Sequence, residues 1–61
     1  MNVIAQKRKE LGMSQQNLAD LAGVDRTTVS KWEVGEAKPR ASVLIKLKNI
    51  LGCSIDEILR E

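Results

Sequence analysis

The sequence predicts an all-α domain, a compact bundle of five short helices, on three observations. All four glycines, Gly12, Gly23, Gly35 and Gly52, stand where an amphipathic stretch should stop. Glycine is favoured just past a helix end because it reaches left-handed backbone angles without a Cβ penalty. Ser14, Asp25 and Ser54 each follow one of these glycines within two residues, and each can accept a bond from an unpaired N–H of a first helical turn. The residue before each of these caps and the one four beyond it are both apolar: Met13 with Leu18, Val24 with Val29, Cys53 with Ile58. That is the spacing of a hydrophobic staple, which fixes the angle at which the chain enters a helix. No alternating strand pattern competes.

In chain order, the first helix is expected near 2–11, stopped by Gly12. The second runs near 15–22, opened by Ser14 and stopped by Gly23. The third runs near 26–34, between Asp25 and Gly35. Pro39 then breaks the chain, and the fourth helix is expected near 43–51 with Ser42 as its cap. The fifth, near 55–60, opens at Ser54, whose spacing to Glu57 matches a capping box.

With 61 residues the chain has room for a single domain, 1–61. A domain this small buries only about 60% of the surface its unfolded chain exposes. One cysteine and no histidine rule out an internal disulfide and the usual zinc sites, and no cofactor is expected. No apolar run approaches the roughly 18 residues of a membrane span and nothing reads as a signal peptide, so the expected location is the cytoplasm. Cys53 has no histidine to activate it and reads as a small buried hydrophobe. Without a phosphate-cradling glycine loop or a metal-ligand cluster, the chain is not expected to be an enzyme. The core must be aliphatic around Trp32, the single aromatic residue, which falls on the apolar spacing of the third helix.

Charge is unevenly placed. Residues 1–25 balance to zero, 26–48 carry six basic side chains against Glu33 and Glu36, and the last thirteen residues are net acidic. A polyanion would therefore meet the chain from the third helix onward. The second and third helices read as one unit. Leu18, Ala19 and Ala22 line one face, Val29 and Trp32 the other, Gly23 turns the corner and Val24 plugs it. Two short helices joined this way form a helix-turn-helix pattern, whose second helix projects its polar face outward. That face is Arg26, Thr27, Thr28 and Lys31. Arg26 and Lys31 can donate to guanine O6 and N7, and a threonine methyl can rest on a thymine methyl. Lys38 and Arg40 are natural phosphate partners, which position a protein without reading sequence. Lys46 and Lys48 read as solvated.

The ordered set "LGMSQQNLA", "LAGVDRTTVSKWEVGEAKP" and "LIKLKNILGCSIDEIL" resembles the helix-turn-helix domain of phage repressors and Cro proteins, the Cro/C1 or XRE type, from about Ile4 to Leu59. The resemblance implies a sequence-specific DNA-binding transcriptional regulator, a repressor, of bacterial or phage origin. One such module reads only a few base pairs, so on double-stranded DNA with a pseudo-palindromic operator it is expected to act as a homodimer. It implies further that Gln15 clamps a phosphate, that Arg26, Thr27, Thr28 and Lys31 face base edges, and that Lys38 and Arg40 follow the DNA backbone. Arg8 and Glu33 match a largely buried ion pair of relatives, the arginine also facing a phosphate. Three positions depart from the pattern: Val34 where asparagine or arginine is common, Glu36 where a basic residue is common, and Lys7 where an apolar residue is usual. Two other readings stay open: an antitoxin-type interaction module on the same fold, and a structural domain cut from a larger protein. The dimer is expected to form through helix five and the end of helix four, where Ile55, Ile58 and Leu59 offer apolar surface beyond what a small core absorbs.

Overall fold

The computed structural model describes residues 2–60; Met1 and Glu61, the ends of the expected 1–61 domain, lie outside the described residues. Five helices follow one another, α1 (Val3–Glu10), α2 (Gln15–Ala22), α3 (Arg26–Val34), α4 (Ala41–Leu51) and α5 (Ile55–Leu59), with no strand among the described residues.

Local chemistry opens most of them. Ser14 accepts from the Asn17 N–H while the Asn17 side chain accepts from the Ser14 N–H, a reciprocal box, and Ser54 with Glu57 repeats it at α5. Asp25 caps α3 through the Thr28 N–H. Asn2, expected inside the first helix, is instead its cap: its Oδ1 accepts from the N–H groups of Ile4 and Ala5. Its amide also donates to the Trp32 carbonyl at 2.9 Å, tying the start of α1 to the end of α3.

The fourth helix corrects the sequence reading. It begins at Ala41, and Ser42 lies within its first turn rather than capping it. Arg40 holds the cap position with extended backbone and no side-chain bond; its carbonyl accepts from the Val43 and Leu44 N–H groups at 3.0 and 2.8 Å. Helical bonding therefore starts two residues earlier than a search for capping side chains would place it. The fifth helix ends one residue early, at Leu59, with Arg60 extended.

Gly23 makes the corner between α2 and α3 at φ +75°, and the next N–H, of Val24, returns to the Ala19 carbonyl at 3.0 Å. A residue with a Cβ is strained in that region, so the corner depends on glycine. Leu18, Ala19 and Ala22 of α2 are buried with Val29 and Trp32 of α3, and the small side chains of Ala19 and Ala22 suit a close approach of the two helices. From α4, Leu44, Leu47 and Leu51 enter the same core at helical spacing, and Ile4, Cys53 and Ile58 complete it.

The expected apolar surplus of the last helix is mostly absent. Ile58 is only 4% exposed and Ile55 packs against the core, which leaves Leu59, 41% exposed, outside. The five-residue α5 lies on α4 and α1, so its apolar side closes the core. No helix is long and apolar enough to cross a membrane.

Candidate nucleic-acid interface

Anchored by Val29 and Trp32, α3 turns its remaining side chains outward. Arg26, Thr27 and Lys31 are exposed, and Thr28 and Ser30 are half-buried at the flanks. Positions 27 and 31 lie one turn apart on the open side of the helix, and Arg26 stands about 100° round from Thr27 at the helix start. Trp32 is 3% exposed and holds the helix without meeting solvent.

Thr28 sits differently from its neighbours. Its hydroxyl donates to Asp25 Oδ1 at 2.5 Å, its N–H reaches the same oxygen at 3.3 Å, and these bonds hold the Asp25 carboxyl below its usual range. It also lines a shallow groove with Gly23, Val24, Trp32, Lys38 and Arg40, between the corner and the segment after α3. Thr27 and Lys31 thus point outward with the exposed Arg26 at the helix start, while Thr28 lines a groove that Lys38 and Arg40 also line. Both basic side chains of that segment are exposed, as are Val34 and Glu36 beside them.

Behind α3, Arg8 and Glu33 form a two-bonded pair, Nε to Oε2 at 2.6 Å and Nη2 to Oε1 at 3.1 Å. The Arg8 Nη1 donates to the Met13 carbonyl at 2.8 Å, so three of its donor atoms are committed within the protein. Gln15 also donates its amide to Glu33 Oε1, at 2.9 Å. A carboxylate only accepts, so the Gln15 nitrogen must point inward here. Burial pushes the Glu33 carboxyl up, but the bonds from Arg8 and Gln15 outweigh it and the net shift is downward. The same contact raises Arg8 above its already high value. The start of α2 is thereby held to α3 from inside.

Reading the residues in order missed the hydroxyl clamp on Asp25, the Ser14–Asn17 box and the Gln15–Glu33 bond. The first two carry a three-residue spacing that marks helix starts; the third joins residues 18 apart and has no local signal. Lys7, expected to loosen α1, lies half-buried and pairs with Glu10 at 3.7 Å. Lys46 is exposed with its ammonium over the corner, 3.5 Å from where a Gly23 side chain would begin. Cys53 is buried, and its thiol is pushed up by that burial and by Glu57.

A helix-turn-helix family model matches residues 4–58. The SPbeta prophage-derived uncharacterized HTH-type transcriptional regulator YonR of Bacillus subtilis (strain 168) is 45% identical over 53 residues, covering 87% of this chain and 49% of that protein. The cryptic phage CTXphi transcriptional repressor RstR of Vibrio cholerae is 36% identical over 55 residues, covering 90% and 49%. Repressor protein C2 of Salmonella phage P22 is 35% identical over 57 residues, covering 93% and 26%. The chain thus spans about half or less of the length of these relatives.

Proposed function

This chain belongs to the Cro/C1-type helix-turn-helix family, and from that premise we propose that it is a sequence-specific DNA-binding transcriptional regulator that acts as a repressor. The observation that carries the reading is the placement of α3. A helix pinned by Val29, Trp32 and the Gly23 corner offers Thr27 and Lys31 on its open side, with Arg26 exposed at its start. Such a helix enters the major groove, where guanidinium and ammonium groups donate to guanine O6 and N7 and a methyl meets thymine. Lys38 and Arg40 flank it and fit phosphates on either side of the groove edge. The names of the repressor relatives support the sign of regulation, and blocking a promoter needs no more than occupancy. Its place of action is the bacterial cytoplasm.

One such module spans few base pairs, so the protein would act on a pseudo-palindrome as a homodimer, its two α3 helices about 34–36 Å apart. With Ile58 committed to the core, a second copy would meet the domain around Leu59 and the outer side of α4, where Ile45 is also exposed. Selection of duplexes from a random pool at two salt concentrations tests the function. Enrichment of a two-fold symmetric site with steeply salt-dependent binding is expected. Failure to enrich any duplex, together with tight capture of a protein partner, would point to the antitoxin-type module instead.

A further inference from the structure

Lys46 and Lys48 read alike in the sequence, as solvated charges on α4, and the structure sets them apart. They stand two positions apart, about 200° round a helix, so they leave α4 on different sides. Ser42 and Val43, one turn before Lys46 on its own side of α4, line the groove beside the α2–α3 corner. A helical side chain leans toward the N-terminus of its helix, which carries Lys46 toward that groove. Its ammonium lies over the corner, 3.5 Å from where a Cβ on Gly23, itself a residue of the groove, would stand. Lys38 and Arg40 line the same groove, and no acidic side chain does. Asp25 meets it through the Thr28 hydroxyl. The ion pairs among the described residues are Lys7–Glu10 and Arg8–Glu33, so Lys38, Arg40 and Lys46 all stand without an acidic partner there.

Resting on the DNA-reading function proposed above, we propose that Lys46 is a further backbone contact, so that α4 as well as the segment before it holds a phosphate of the duplex. Three exposed cations without counter-charge repel one another, and an anion in the groove relieves that repulsion. A small anion would be held best by donors converging in a buried pocket. These cations are instead spread round an open groove that reaches Thr28 of α3. One strand of a duplex presents a charge about every 3.4 Å along the axis, a row that such a spread can follow past the recognition helix. A phosphate contact carries no base information, so Lys46 positions the domain and adds affinity for any sequence.

The test measures the salt dependence of binding for Lys46→Gln and Lys48→Gln, on the best selected operator and on random duplex. Both side chains are exposed and each change removes one charge; thermal melting checks that both variants fold. Lys46→Gln should weaken the two duplexes by the same factor and lower the magnitude of the log–log salt slope by about 0.9 per half-site. Lys48→Gln should keep the wild-type slope. In operators that each carry one uncharged methylphosphonate, one substitution should weaken the wild type and leave Lys46→Gln unaffected. Equal slopes for Lys46→Gln and the wild type overturn the proposal, as does an equal fall in both variants, which a change in net charge alone produces. A cation also favours a helix C-terminus, so a lower melting temperature with an unchanged slope would make Lys46 a support for the end of α2 and overturn the contact. A wild type that binds no duplex at all would instead overturn the DNA-reading function on which it rests.

Discussion

Arg8 of α1 and Glu33 of α3 face each other through two parallel bonds of 2.6 and 3.1 Å, and their side chains are 11% and 8% exposed. Gln15 of α2 completes the contact on the same carboxylate. Taking both charges out of water costs several kcal/mol per ion, so the pair adds little net stability over an apolar contact. Its effect is geometric. One carboxylate joins the three helices that set the pose of α3, and Arg8 is thereby drawn under the surface rather than out toward a ligand.

Removing one partner should cost far more than the pair contributes. Arg8→Met leaves Glu33 with Gln15 alone, and Glu33→Gln leaves a buried guanidinium without its counter-ion. Each should lose about 3 kcal/mol in chemical denaturation, the lower end for a stranded buried charge. The double variant should lose clearly less than the sum, because the two residues share one interaction. Losses under about 0.5 kcal/mol for both single variants, the level of ordinary surface changes, would show that the pair does not hold these helices.

Acid should expose the same contact. The folded Glu33 carboxyl lies below its usual value of 4.5, because the bonds from Arg8 and Gln15 outweigh the opposing effect of burial. A group depressed in the folded state stabilises fully above its unfolded value and loses that contribution as pH falls through the folded one. Melting temperature should therefore hold down to about pH 5 and fall below about pH 4.5. In Glu33→Gln, which starts lower, the fall should be shallower. Parallel acid profiles for the two proteins would assign the acid loss to other carboxylates.

The legible parts of this fold are those with local causes. α2 and α3 match their expected bounds to the residue because Ser14, Asp25, Gly23 and Gly35 act on the turns they adjoin. α4 begins two residues before its expected start because Arg40 caps it with backbone alone, whereas Ser42 is the first side chain after Pro39 of a usual capping type. In α5 three apolar residues fall within little more than one turn, too short a stretch for periodicity to separate Ile58, which is buried, from Leu59, which is not. At the site, the outward side of α3 follows from its spacing. The Arg8–Glu33 pair was expected from resemblance alone, and Gln15 joins it across 18 residues by a contact only the folded chain creates.

Trp32 should report on the whole fold. It is the single aromatic residue and is buried in the core with residues of α1, α2, α4 and α5. Its emission should be blue-shifted in the native protein and move to the red in one cooperative step on unfolding. Trp32→Ala should cost about 3–5 kcal/mol. A chain under about 70–80 residues rarely holds more than about 3–5 kcal/mol in total, so this variant should be largely unfolded by circular dichroism. A helical Trp32→Ala with near-native melting would place the tryptophan outside the core.

Arg26 and Lys38 should divide the work on DNA between choice and affinity. Arg26 is exposed at the start of α3, where its planar fork can hold guanine O6 and N7 together. Arg26→Ala should cost about 1–3 kcal/mol on the best operator and relax preference at one base pair per half-site. Lys38 lies exposed on the segment after α3 and lines the same groove as Thr28. A point charge there neutralises a phosphate whatever the base. Lys38→Ala should weaken all duplexes alike and lower the magnitude of the log–log salt slope by about 0.9 per half-site. Thr27, beside Arg26 with its hydroxyl outside the Asp25 clamp, should tune the neighbouring pair, whereas Thr28 has committed its proton. A matrix of single-base operator variants at two salt concentrations separates these roles. If Arg26→Ala lowers affinity uniformly and Lys38→Ala changes the preferred base, the start of α3 follows the backbone and the segment after the helix reads the sequence.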